Sequence, residues 1–303
     1  MLPRCGGSHD PQPRFRSKLL PGLLGAAVLG LGGCEQSVTI DLAVSGTDAI
    51  EGAVLPLSAV QLLRDSGALT SVRVTTQAGD LLALAPDDTV QLVSGAEVPE
   101  GSYTGLALAF DVADASVTRP SDAAAAVSIS SAELFADPAL DVQAGTSAHR
   151  LVVLDLRFSL SDQTATLGSY YLRPYYRVVN LDAQGAFAGA ATTAFVESAA
   201  CRSGRNAGQG VAVYAYRGTG IEPGDFVAGY TGASIPVASA VVALDSASSS
   251  YRYRLPYLAP GEYTLAITCQ GDQEDPLADQ DLAFQGARST TITAGATIVA
   301  DFP

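Results

Sequence analysis

Residues 38–44 read Val38-Thr39-Ile40-Asp41-Leu42-Ala43-Val44, and this stretch decides the fold. Val38, Ile40, Leu42 and Val44 alternate with Thr39, Asp41 and Ala43. Successive side chains of an extended chain point to opposite faces, so the segment is predicted to be a strand with one buried side. The same period of two returns in residues 72–75, 103–110, 151–158, 171–179, 211–216, 251–257, 263–268 and 290–302. Turn-forming clusters such as Ser94-Gly95 and Ala144-Gly145-Thr146 separate these runs. Helical periodicity is scarce: residues 55–64 predict one short helix and residues 130–136 a second. Many short strands with at most one or two short helices predict an all-β protein built from β-sandwich domains.

Two stretches suggest how many. Val98-Pro99-Glu100-Gly101-Ser102-Tyr103 and Leu258-Ala259-Pro260-Gly261-Glu262-Tyr263 both place Pro and Gly in a tight turn directly before a tyrosine-led strand. One sandwich for each gives two domains, residues 38–192 and 193–303. The boundary falls where alanines and small polar residues follow the Phe187-Ala188-Gly189 turn.

Ahead of these strands, Arg4, Arg14, Arg16 and Lys18 precede an apolar run over residues 19–31, which ends in Leu31-Gly32-Gly33-Cys34. A basic segment, an apolar core too short to span a bilayer and small residues before a cysteine resemble a bacterial lipoprotein signal. The resemblance implies cleavage of residues 1–33, lipid on Cys34 and a short tether over residues 34–37. Glutamate rather than aspartate at position 35 implies sorting to the outer membrane. Without residues 1–33 the chain keeps 13 basic and 30 acidic residues, a net charge of −17. That surface repels nucleic acid and anionic headgroups, so the membrane is expected to be held by lipid alone.

Residues 38–189 resemble the bacterial domain-of-unknown-function family DUF 4382, through the segment at Ser58–Leu63, the turn at Pro99–Tyr103 and the strand at Tyr170–Asn180. The second part is similar to transthyretin-like or carboxypeptidase-regulatory-like sandwiches, through residues 257–269 and the closing stretch 291–302. Immunoglobulin-like or transthyretin-like sandwiches are what these likenesses imply. They transfer no catalytic residues.

The composition excludes much chemistry. Lys18 is the only lysine, so the processed chain has no Schiff-base lysine and no Walker A motif. His149 is the only histidine beyond the signal, too few for an imidazole zinc site. Ser147, His149 and Asp155 supply the side-chain types of a hydrolytic triad, but no G-x-S-x-G elbow accompanies them. Five carboxylates, Asp272, Glu274, Asp275, Asp279 and Asp281, lie within ten residues and make a candidate calcium loop. Tyr251, Tyr253 and Tyr257 share one face of an alternating strand and are candidates for stacking on a sugar or a protein partner. In an exported chain Cys201 and Cys269 remain as one pair and are expected to form a disulfide. The reading that results is a non-enzymatic envelope lipoprotein with a binding or structural role. Its expected partners are the membrane, through the lipid, and an envelope protein or a glycan. No cofactor is expected beyond a structural calcium. The alternatives are a glycan-binding module and a hydrolase using paired carboxylates, with Asp111, Asp114, Asp155 and Asp301 near strand ends.

Overall fold

The computed structural model describes residues 36–120, 123–129, 136 and 140–303. The signal segment, Cys34 and residues 130–135 of the second predicted helix lie outside them. The alternating stretch forms the strand Ser37–Ser45 and sits inside a four-stranded sheet. It runs parallel to Ser147–Asp155 and antiparallel to Val90–Glu97, and Tyr176–Val179 pairs with the far side of Ser147–Asp155. Val38, Ile40, Leu42 and Val44 all point into one core. The other face is covered too in its second half: Ala43 packs with Leu151, Val153, Val179 and the ring of Tyr257.

A five-stranded sheet, in the order Leu160–Gln163, Ser169–Leu172, Ala124–Ile129, Ser116–Thr118 and Gly52–Val54, contributes to the same core. So does a four-stranded sheet of Leu69–Arg73, Leu57–Arg64, Gly101–Phe110 and Leu140–Val142. The predicted helix over 55–64 is therefore a strand. A bulge sets Leu57 opposite Phe110 but Ala59 opposite Ala109. The extra residue puts Leu57 and Val60 on one side, and that spacing of three imitates a helical repeat.

Two more four-stranded sheets enclose a second core around Phe187, Val213, Tyr253, Tyr263 and Ile267. One runs Ala243–Asp245, Ser250–Leu258, Gly185–Ala191, Thr297–Val299; the other runs Ala238–Val241, Ala212–Arg217, Gly261–Thr268, Phe284–Ile292. Gly185–Ala191, assigned from sequence to the first domain, pairs with Ser250–Leu258 and Thr297–Val299. The change from one core to the other thus falls between Val179 and Gly185. The fold is all-β, and its only α-helices among the described residues are the four-residue Thr164–Leu167 and Thr193–Val196.

The two Pro-Gly turns share more than sequence. Gly101 and Gly261 take φ of +138° and +148°, a region that residues with a Cβ seldom enter. Tyr103 then donates its hydroxyl to the Pro99 carbonyl at 2.6 Å, and Tyr263 to the Ala259 carbonyl at 2.8 Å. Arg64 lies 6.0 Å from the ring centre of Tyr103 and Arg217 5.4 Å from that of Tyr263. Each turn is a tyrosine corner under a guanidinium, one in each core.

Candidate functional site

The described residues pack as one compact unit, and the polar groups that join its two cores lie at the Ser45 end of the central sheet. Ser147–Asp155 runs into a turn whose sequence, Leu154-Asp155-Leu156-Arg157-Phe158, places two charges inside an apolar run. Asp155 is 1% exposed. Its carboxylate accepts from the Ser239 backbone N–H at 2.9 Å, from the Ser239 hydroxyl at 3.0 and 3.1 Å, and from the Phe158 N–H at 3.3 Å. Burial pushes its carboxyl up to about 6, against the opposing pull of Arg157, the Ser239 hydrogen bonds and Arg177.

Arg157 is buried as well. It donates to the Gly271 carbonyl and, at 3.4 Å, to Asp48, and it lies 6.0 Å from the ring centre of Tyr214. Asp48 in turn accepts from the Gly210 N–H. One guanidinium thus connects a loop of the first core to two loops of the second. Glu274 completes the group: it accepts from Tyr214 Oη at 2.7 Å and from the Phe226 N–H at 3.2 Å. Burial pushes its carboxyl up to about 7, opposed by the Tyr214 bond and Arg157 and assisted by Asp225.

A carboxyl whose folded pKa is raised binds its proton more tightly when folded. Its stabilising contribution is complete below the unfolded pKa and is lost as pH rises through the folded one. For Asp155 that window runs from about 4 to 6 and for Glu274 from about 4.5 to 7. We expect stability to decline across this range, by a term on the order of 3 kcal/mol for Asp155. Chemical denaturation of Asp155→Asn between pH 4 and 6 should show a flatter profile than the parent protein, and an unchanged slope would exclude Asp155 as its source.

Beside this network lies a cleft of about 460 Å³. Val44, Leu84 and Pro86 line it from the first core, and Ala240, Leu244 and Pro256 from the second. Its charged groups are paired: Arg252 lies 3.7 Å from Asp245, and Arg254 binds Asp87. Tyr257 Oη also donates to the Asp87 carbonyl at 2.7 Å, fastening one flank. Leu244 remains 58% exposed.

The sequence candidates distribute unevenly around this junction. Tyr251 and Tyr253 are only 5% and 4% exposed; they bond Glu197 and the Ala300 carbonyl and belong to the second core rather than to a stacking platform. Tyr257 does not share their face, because a bulge sets Leu255 opposite Phe187 but Leu258 opposite Gly185, with Tyr257 at φ +58°. The five acidic-loop carboxylates do not converge. Asp272 pairs with Arg205 at 2.6 Å, Glu274 is held as described, and Asp275 accepts from the Leu277 N–H at 3.0 Å. Asp279 and Asp281 are exposed, and among the described residues no group of three His, Cys, Asp or Glu is placed to hold a metal.

His149 bonds Asp41 at 2.8 Å, and Ser147 bonds Ser37 at 3.0 Å. Asp155 stands six residues further along the same strand, about 20 Å at strand rise, so no triad assembles. Asp111 caps a 3-10 turn through the Ala113 N–H, and Asp301 accepts from the Ala190 N–H at 2.8 Å. Cys201 and Cys269 form a disulfide with a Cα–Cα distance of 4.9 Å. Sequence reading missed Asp48, Arg157, Tyr214 and Ser239. The available signal was the pair Asp155 and Arg157 inside an apolar run, since a charge there needs a partner.

Residues 37–174 match the family described as Domain of unknown function (DUF4382). No curated protein matches the chain. Among solved structures it is similar to the Bacillus anthracis TIE protein, at 12% identity and TM-score 0.19 over 88% of this chain and 33% of that one. It is also similar to a leucine-rich repeat protein from Bacteroides thetaiotaomicron, at 11% identity and TM-score 0.20 over 89% of this chain and 26% of that one. The chain therefore spans about a third or less of these two proteins. A candidate adhesin from Bacteroides ovatus aligns at 10% identity and TM-score 0.20, over 94% of this chain and 99% of its own.

Proposed function

We propose that this protein is a non-enzymatic lipoprotein of the outer membrane, anchored through Cys34, that binds an envelope protein or glycan at the cleft between its two cores. The observation that carries this reading is the contrast between the cleft and the network beside it. The cleft is apolar and its charges are paired, whereas the two carboxyls with strongly raised pKa, Asp155 and Glu274, have their oxygens occupied by protein donors. An acid-pair hydrolase needs one carboxyl free to give a proton and the other free to receive one. An apolar floor with a polar rim is what binding sites use.

Two measurements test the proposal. Cys34→Ser should leave the protein unprocessed or in the soluble fraction, and a processed Cys34→Ser chain that still fractionates with membranes removes the anchor. A photo-crosslinking residue at Leu244 should capture a reproducible envelope partner that the same residue at Leu69, also exposed, does not. Equal capture at both positions, or none at Leu244, removes the cleft.

A further inference from the structure

We propose that the Ser37 end of the first core is a membrane-facing surface, with the turns at residues 65–68, 98–100 and 143–146 against lipid headgroups and the cleft held at the opposite end. This rests on lipid attachment at Cys34. Ser37 is the first residue of the central strand, stands opposite Ser147 and Glu97, and donates its N–H to the Thr146 carbonyl at 3.1 Å. Three residues of chain reach at most about 11 Å. A lipidated Cys34 therefore cannot lie further than that from a strand locked on both sides, and the attachment fixes an orientation instead of providing a leash.

The three turns share that end. Asp65 donates its N–H to the Ser102 carbonyl at 3.1 Å, and Gly101 stands opposite Val142. Asp65, Ser66, Gly67, Glu100, Gln143 and Ala144 are exposed there. Eight residues along the same strand, Ser45 pairs with Asp155, about 26 Å away at strand rise. Asp155, Arg157 and Asp48 join the second core at that level, and Val44 to Gly46 line the cleft. The membrane end carries Asp65, Glu97, Glu100 and Asp141 against Arg64, which donates to the Glu100 carbonyl, and this acidic excess means that its approach to the bilayer comes from the tether and not from charge.

The experiment uses the full lipidated chain in vesicles containing a headgroup-attached quencher, with a fluorophore on Ala144→Cys or on Ala247→Cys, both exposed. Quenching is expected to be several-fold stronger at position 144, to be independent of anionic lipid content, and to fall to the level of position 247 when about 20 Gly/Ser residues are inserted after Glu35. Equal quenching at the two positions in a chain whose mass shows lipid on Cys34 overturns the orientation alone. A chain without lipid on Cys34 overturns the anchoring and the orientation together.

Discussion

Replacing Arg157 by Met is expected to destabilise the protein by about 3–5 kcal/mol at neutral pH, the cost of breaking a buried ion pair by removing one partner. Met preserves much of the side-chain bulk, so the loss is electrostatic rather than a cavity. Without the guanidinium, the Gly271 carbonyl loses this donor, Asp48 keeps Gly210, Asp155 loses the stronger of the two cations that favour its ionised form, and Glu274 loses Arg157 as well. The loss should shrink as pH falls toward 5, because both carboxyls are then protonated in the folded parent and variant alike and no longer need the cation. Denaturant titration of the variant at pH 5 and pH 8 measures both effects. A cost under 1 kcal/mol, equal at the two pH values, would mean that the network does not hold the cores together.

Reduction of the Cys201–Cys269 disulfide is the second large effect. The bridge spans 68 positions, and releasing a loop of that length costs about 4 kcal/mol in the chain-entropy description. The loop contains Ala212–Arg217, Ala238–Val241, Ser250–Leu258 and Gly261–Thr268, most of the second core. It also contains Gly210, and Gly271 follows Cys269 by two residues; these are the backbone groups that meet Asp48 and Arg157. The two cores are therefore expected to unfold together, so calorimetry with and without reductant should show one transition moving down as a whole. Two transitions, of which reduction moves only the later half of the chain, would show that the buried network leaves the cores independent.

How much of this could be read from the sequence follows from how far each interaction reaches. Alternation located the strands because the pleat writes its period into neighbouring residues, and it failed where one extra residue changed the parity. The bulge beside Leu57 produced a false helix, and the bulge at Tyr257 turned that ring away from Tyr251 and Tyr253. The junction was almost illegible. Asp155 meets Ser239 across 84 positions and Asp48 meets Gly210 across 162, and no local pattern encodes such a pairing. Only its cause was visible, a charged pair in Leu151–Phe158 that the interior cannot accept without partners. The acidic loop's carboxylates do not converge because sequence density does not report where side chains point; Asp272, Glu274 and Asp275 are engaged singly by Arg205, Tyr214 and backbone amides.

The placement of Ser37–Ser45 also bears on when the chain can fold. It is a central strand, and its two neighbours are Val90–Glu97 and Ser147–Asp155. The parallel neighbour lies 110 positions away. A chain emerging from its N-terminus thus presents this central strand first and waits for half its length before both ladders can close. Contacts of such sequence separation carry a large closure entropy and make folding slow. The nascent protein is expected to stay open during synthesis and to acquire its final form only once residue 155 is free to meet residue 45.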